Sequence, residues 1–312
     1  MNRSALLGVK FLGAAVTGIL WISGCVSSSP PADGREGTSL LGVALRSPAP
    51  SAKHEEEIKA AREAYKATPT EATAIALGRK LSAAGMYREA VTHYGAALQR
   101  FPKSYRILRH RGHRQITLRE FTEAISDLTL AWSLAKGRPD APEGDTAASR
   151  STDKMAILYH LGLAHYLQGN FVMCVEVFRM RKGLESLNDD NRVSSMHWEY
   201  LALRRTGREA EARKLVTGVH EGMEVRENQS YYLLCKMYAG LITPAQAAAE
   251  SERLGGGQSA SVGVRYGLAC WAWFAEDDRT HAVTEFEAIV NDRPETQWAN
   301  FGFIAAEAEL AR

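Results

Sequence analysis

The residues most able to do chemistry are concentrated in one basic segment, Tyr105 to Arg114, which reads YRILRHRGHR. His110 and His113 are three residues apart and so share a face of a helix, where imidazoles can ligate a metal or transfer protons. The surrounding arginines disfavour a bound metal cation, because like charges repel. Guanidinium groups instead pair well with carboxylates. The segment therefore favours contact with an acidic partner over a metal or catalytic site.

Motifs of known catalytic chemistry are absent from the rest of the chain, which has no HExxH, CxxC, GxSxG or phosphate loop. Gly255–Gly257 lacks the following lysine and hydroxyl residue of a phosphate loop and indicates a turn. Ser151 and Lys154 match a penicillin-binding pattern by letters alone, without its companion motifs. The sequence thus predicts a protein that is not an enzyme and needs no cofactor or metal.

One alternative is an enzyme with a pocket in the C-terminal half. Five aromatic residues there could line such a pocket: Trp198, Tyr231, Tyr232, Trp271 and Trp273. The simpler interpretation is that these rings form a helical core, where aromatic residues dominate packing.

Small and aromatic residues recur at a spacing of 34 residues. Gly78, Gly85, Tyr87, Ala90, Tyr94 and Ala97 are followed at that spacing by Gly112, Arg119, Phe121, Ala124, Leu128 and Ala131. This pattern resembles the tetratricopeptide repeat (TPR), in which each unit is a pair of antiparallel helices. The resemblance implies an all-α fold, a curved solenoid of stacked helix pairs.

A third unit, marked by Gly162, Gly169 and Phe178, follows an insertion at Gly137–Thr152 whose composition predicts a surface loop. Degenerate helix pairs come next. The last segment, Thr296–Arg312, is predicted to be one amphipathic helix that covers the open end of the array. No alternating strand pattern is evident, so no sheet is expected.

The N-terminus has a positive start and a short apolar stretch, as secretory signal peptides do. It ends in Ile22-Ser23-Gly24-Cys25, which resembles the bacterial lipobox. The resemblance implies cleavage before Cys25 and attachment of acyl chains such as palmitate, several of which anchor a protein stably. Val26, in place of an aspartate, favours an outer-membrane anchor that faces the periplasm. The alternative is an ordinary signal peptide with a chance cysteine.

The segment from Val26 to Lys53 is rich in Ser, Pro and Gly, which predicts a flexible tether. Its one apolar stretch, Leu40–Leu45, either docks on the folded part or forms a patch in a loop. Three further cysteines, Cys174, Cys235 and Cys270, lie within apolar helical patterns. They are interpreted as small buried residues, since their odd number does not suit a disulfide framework.

In TPR arrays the first helix of each unit lines the concave face. Transferring the family's groove positions to this chain implies five residues of each unit on that face, and six of these are predicted to contact a bound peptide or protein: Arg79, Arg106, Arg109, His113, Tyr159 and Tyr166. Such a set suits an acidic or C-terminal peptide, with tyrosines as anchors. The asparagines of the family's carboxylate clamp are missing here. The alternative is that these arginines only face solvent.

The combination of lipobox, tether, tandem repeats and a degenerate C-terminal half is similar to the NlpI-type envelope lipoproteins. The segments WEYLALRR and VRYGLACWAW carry part of this similarity. It implies a homodimeric adaptor that holds a periplasmic protease and peptidoglycan hydrolases together and has no chemistry of its own. The net charge of +2 provides no global field for nucleic acid.

The sequence therefore predicts a non-catalytic interaction scaffold of the bacterial cell envelope. A second hypothesis is an assembly lipoprotein for outer-membrane proteins, secretins or pili. The expected organisation is a signal peptide at 1–24, Cys25 and tether at 25–53, a cap helix and two TPR units at 54–136, the insertion at 137–152, a third unit at 153–188, degenerate repeats at 189–258, and a last unit with capping helix at 259–312.

Overall fold

The computed structural model describes residues 34–144, 150–184, 186–254, 257–292 and 297–312. The predicted signal peptide and Cys25 lie outside the described residues. Within these ranges the chain forms fourteen α-helices, one 3-10 helix and two short strands. In chain order they are β1 (Arg35–Thr38), β2 (Ala44–Arg46), α1 (Ala52–Ala67), α2 (Glu71–Ala83), α3 (Tyr87–Arg100), α4 (Tyr105–Thr117), α5 (Phe121–Ala135), α6 (Asp153–Gln168), α7 (Phe171–Lys182), α8 (Asp189–Arg205), α9 (Glu209–Leu215), α10 (Gln229–Tyr238), α11 (Pro244–Arg253), α12 (Gly257–Ala275), α13 (Arg279–Asn291), the 3-10 helix Gln297–Ala299 and α14 (Phe301–Leu310).

The helices stack as antiparallel pairs, which confirms the predicted all-α, TPR-type solenoid. From α1 to α9 and again from α10 to α14 each helix packs on the next, and the first helices α2, α4, α6 and α8 also contact one another in that order. We call the surface formed by these four first helices the inner face. None of the helices in the described part combines the length and hydropathy needed to cross a membrane.

Helix starts follow the repeat. The inner helices α2, α4, α6 and α8 each begin at a side-chain cap that accepts a hydrogen bond from a backbone N–H of the first turn: Thr70, Ser104, Thr152 and Asn188. Such caps satisfy N–H groups that the helix itself leaves without partners. The outer helices α3, α5 and α7 lack a side-chain cap. Each of them follows a tight turn, and the backbone of this turn sets where the helix begins.

The tight turn inside each pair requires a left-handed backbone. The residue at this position is Gly85, Arg119, Gly169, Gly207, Gly240 and Asp277 in successive pairs, with φ of 78°, 66°, 89°, 70°, 74° and 58°. Glycine adopts this conformation at little cost, whereas arginine and aspartate do not. The shared turn therefore keeps the repeats in register even where the glycine signature is lost.

The repeated glycines and aromatic residues pack as the spacing predicts. A Cβ added at Gly162 would lie 2.6 Å from Phe178 Cε2, and one at Gly112 would lie 2.7 Å from Leu128 Cγ. Gly78 meets Tyr94 in the same way in the first unit. Each glycine thus lets the second helix of its own unit bring a large side chain against the first helix.

The expected tether is partly wrong, because residues from Gly34 onwards belong to the folded body. Strands β1 and β2 form an antiparallel hairpin in which Leu45 is buried. Arg88 donates its backbone N–H to the Glu36 carboxylate at 2.6 Å. The apolar stretch therefore docks through Leu45, while Leu40, Leu41 and Val43 stay exposed at its tip. Strands this short, with so few inward side chains, leave little alternating signal.

The C-terminal helix was also predicted incorrectly. The 3-10 helix Gln297–Ala299 precedes α14, and every residue from Gly302 to Ala308 is buried. A helix that is apolar all round belongs inside a protein, not over one end of it. Phe301 lies against His113 of α4 and Tyr159 of α6, with ring centroids 5.4 Å and 6.3 Å apart. Helix α14 thus covers part of the inner face.

Candidate functional site

The inner face that α14 leaves free contains a cavity of about 1030 Å³. Helices α2 and α4 form two sides of it, and the insertion forms a third. The residues that line it are Glu71, Ala72, Ile75, Ala76, Arg79, Ser82, Ala83, Tyr94, Tyr105, Arg106, Arg109, His110, His113, Arg114, Pro142, Glu143, Gly144, Asp153, Ile157 and Glu227. Four of the six predicted contact residues are therefore together here: Arg79, Arg106, Arg109 and His113.

Arg106 is held by the first residue of α6. Its Nε donates to Asp153 Oδ2 at 2.7 Å, and Tyr105 Oη donates to the same oxygen at 3.3 Å. The hydrogen bond to Asp153 raises the pKa of Arg106. Since the carboxylate already has these partners, Arg106 is a positioned cation whose charge is largely compensated.

Arg109 lies deeper and is 5% exposed. It forms an ion pair with Glu143 of the insertion, and its Nη1 donates to His110 Nδ1 at 3.2 Å. Burial lowers the pKa of Arg109 to about 10, and the charges of Arg114 and Arg79 act in the same direction. Arg109 therefore stays cationic at neutral pH, and a buried cation requires an anion beside it.

Three histidines are neutral at this site. Burial, and then the charges of neighbouring arginines, lower the pKa of His110, His113 and His160 well below its usual value. His113 lies on His160 with ring centroids 4.2 Å apart. No group of three or more metal-ligating side chains occurs among the residues that the structure describes. These imidazoles act as neutral packing and hydrogen-bonding groups.

Two further arginines at the cavity have no carboxylate partner within the described ranges. Arg79 is exposed on α2. The Arg114 guanidinium lies over the Tyr87 ring, 5.5 Å from its centroid, and burial lowers its pKa. A cation on an aromatic face keeps most of its ability to attract an anion. The cavity can therefore accept negative charge from outside the chain.

The two predicted tyrosines lie elsewhere. Tyr166 is completely buried, and its hydroxyl contacts that of Tyr266 at 2.7 Å. Tyr159 packs under Phe301, and its hydroxyl contacts that of Tyr231 at 2.7 Å. Neither residue lines the cavity, so the expectation that both face a ligand is corrected. Phe301 of α14 covers Tyr159, whereas Tyr266 of α12 and Trp198 of α8 enclose Tyr166.

The sequence carried a signal of this burial. Helix α6 reads DKMAILYHLGLAHYLQ and is buried on nearly every side, whereas α4 presents arginines and histidines at the same repeat positions. An inner helix that is apolar all round indicates a covering element. Sequence reasoning also missed Glu143, because the conformation of an insertion leaves no periodic trace.

The aromatic residues of the C-terminal half form a core. Trp198 and Tyr232 are buried, and the Tyr200 and Tyr238 rings stack with centroids 4.1 Å apart. Tyr238 Oη lies 3.1 Å from His197 Nδ1. Cys174, Cys235 and Cys270 are free thiols and buried, as predicted. These contacts support packing as the role of the rings.

Comparison with solved structures finds proteins of low sequence identity, among them two described as tetratricopeptide repeat structures. A tetratricopeptide repeat protein from Parabacteroides merdae is 14% identical over 81% of this chain and 92% of its own, with a TM-score of 0.48. The structure of Naa15/Naa10 bound to HypK is 19% identical over 82% and 37%, with a TM-score of 0.36. The TPR domain of P58(IPK) is 16% identical over 83% and 75%, with a TM-score of 0.28. No family model and no curated protein matches the sequence.

Proposed function

We propose that this protein is a non-catalytic interaction scaffold that binds an acidic segment of a partner protein in the inner-face cavity. The observation that carries the proposal is the pair of arginines, Arg79 and Arg114, that line the cavity without a carboxylate partner among the described residues. A guanidinium offers a planar fork of donors that fits a carboxylate in a bidentate manner.

The size and composition of the cavity also suit a peptide. Its volume of about 1030 Å³ slightly exceeds the roughly 300–1000 Å³ common for small-molecule sites. Apolar side chains such as Ile75 and Ile157 line it together with the charged groups. An extended segment can place apolar and acidic side chains on such a surface together.

Site-specific crosslinking tests this function. A photoreactive benzoyl-phenylalanine replaces Ala76, which is exposed and lines the cavity. The matched control carries it at Leu130, which is 47% exposed on the outer helix α5. We expect a partner adduct at Ala76 only, and its loss when Arg79→Glu is added. Equal adducts at both positions, or adducts that persist with Arg79→Glu, would contradict the proposal.

We further propose that the scaffold works at the bacterial cell envelope, anchored through acylated Cys25 to the outer membrane and facing the periplasm. The lipobox supports this location. The protein should incorporate radiolabelled palmitate and sediment with membranes. Cys25→Ala should lose both properties, whereas Cys174→Ala should keep them. Recovery of the Cys25→Ala protein in the membrane fraction with wild-type labelling would refute the anchor.

The crosslinked partner then identifies the process. Cell-wall hydrolases or a protease at the Ala76 position would support an adaptor of the kind that the family resemblance implies. A β-barrel protein, secretin or pilus component would instead favour an assembly lipoprotein.

A further inference from the structure

We propose that Glu143 of the insertion is a built-in competitor that occupies the anion position on Arg109, and that a partner segment with two neighbouring carboxylates displaces it. This inference rests on the proposed function and specifies the ligand of the same cavity. It also gives the insertion a role, which is to set the threshold for binding.

The first step is the burial of Arg109. Its side chain is 7% exposed, whereas the side chain of Glu143 in the same ion pair is 30% exposed. Removing the anion from a buried cation is costly unless another anion replaces it. Arg109 therefore always needs a carboxylate, while Glu143 can leave towards solvent at a much smaller cost.

The second step is the separate attachment of the insertion. Asp140 anchors it by accepting from Thr152 Oγ1 at 2.6 Å and Ser186 Oγ at 2.9 Å. A single bridge then pairs Pro142 with Thr152, and the Glu143 backbone N–H donates to Ser151 O at 2.9 Å. These contacts hold the backbone at its base. The Glu143 side chain can therefore rotate away from Arg109 without unfolding a repeat.

The third step is the second cation beside the pair. A Cβ added at Gly144 would lie 3.7 Å from Arg79 Nη1, so Arg79 flanks the position that Glu143 occupies. Glu143 supplies one carboxylate, and Arg79 keeps no carboxylate partner among the described residues. A ligand with two adjacent acidic side chains could satisfy Arg109 and Arg79 together. Pairing with both arginines allows such a ligand to displace Glu143, which is part of the chain but supplies only one carboxylate.

The test measures binding of a defined probe by fluorescence anisotropy on the full-length protein. The probe is a fluorescein-labelled peptide, Gly-Ser-Glu-Glu-Ser-Gly-amide, and its counterpart has glutamines in place of the glutamates. The variants are Glu143→Gln, Glu143→Asp and Glu123→Gln. Glu123 is exposed on α5, away from the cavity. Glu123→Gln therefore changes the net charge by the same amount as Glu143→Gln without altering the cavity.

We expect Glu143→Gln to bind the acidic probe about tenfold more tightly than the wild type. The reason is that the probe no longer competes with an internal carboxylate for Arg109. Glu123→Gln should match the wild type, and the glutamine peptide should not respond to any variant. Adding Arg79→Gln to Glu143→Gln should weaken binding again. If Glu143→Gln unfolds with Arg109 unpaired, Glu143→Asp keeps the charge but shortens the side chain, and should show a smaller gain.

Several results would overturn the inference. They are equal affinity of the wild type and both Glu143 variants, a gain for the glutamine peptide as well, or no binding of the acidic probe by any variant. The crosslinking at Ala76 remains a separate readout. An adduct that depends on Arg79, together with no effect of Glu143 substitution, would keep the proposed function and reject only the competitor.

Discussion

Gly162 has no room for a side chain, because an added Cβ would lie 2.6 Å from the ring of Phe178. That ring is completely buried, so it cannot move aside without disturbing its own neighbours. The same contact recurs in the first two units. The absence of a Cβ atom at this glycine in each of the three repeats therefore determines how closely the two helices of the repeat approach.

Gly162→Ala should lower the free energy of unfolding by about 1–3 kcal/mol through overpacking. This loss should appear even though alanine favours a helix over glycine by roughly 1 kcal/mol. Gly95→Ala is the matched control, since its Cβ would lie an ordinary 3.5 Å from Arg111 Nη1. We expect this control to be neutral or stabilising in urea unfolding. Equal effects of the two substitutions would show that close approach does not constrain Gly162.

Between elements, a buried ion pair joins the turn after α4 to the last helix, α14. Arg119 Nη2 donates to Glu307 Oε2 at 2.7 Å, and the two side chains are 3% and 0% exposed. Glu307 also accepts the backbone N–H of Leu40 in the hairpin. Arg119 has a positive φ that arginine rarely adopts. This residue departs from the glycine of the repeat because its side chain must reach α14.

Glu307→Ala should destabilise the protein by about 3–5 kcal/mol, since it leaves Arg119 as an unpaired buried cation. Glu209→Ala breaks an exposed ion pair with Arg213, which lies four residues away on the same helix. That control should change stability by less than about 1 kcal/mol. Both values can be obtained from urea unfolding followed by circular dichroism. A small effect at Glu307 would mean that α14 is held mainly by its apolar contacts.

For the whole molecule, buried neutral histidines make stability depend on pH. Burial is the largest cause that lowers the pKa in six of them: His93, His110, His113, His160, His165 and His197. In the unfolded chain they take up protons near pH 6.5. The unfolded state therefore binds more protons below that pH, and acidification favours unfolding.

We expect the free energy of unfolding to fall between about pH 7 and about pH 5, by up to roughly 1.4 kcal/mol per pH unit for each proton involved. His197, with its pKa lowered to about 3, should contribute throughout this window. Glu36 and Glu199 act in the opposite sense, because burial raises the pKa of each. His110→Gln should flatten the slope. An unfolding midpoint that is constant over the window would contradict this account.

The sequence was sufficient for features determined within one repeat. The glycine and aromatic pairs were predictable, because the two members of each pair lie a few helical turns apart in sequence. The hairpin and α14 were not predictable in this way. Trp298 Nε1 donates to Arg46 O across 252 residues of sequence, and no periodic pattern records such a contact. Tyr159 and Tyr166 were misplaced for the same reason.

The contacts of Glu307 and Trp298 with the hairpin have a mechanical consequence. In an open solenoid each repeat contacts only its neighbours, so the end repeats can fray and the length of the array can change with little resistance. In this chain the first and last elements that the structure describes are fastened to each other. We therefore expect a stiff molecule that resists extension until the contacts of the hairpin with Glu307 and Trp298 break, and that then extends in one step.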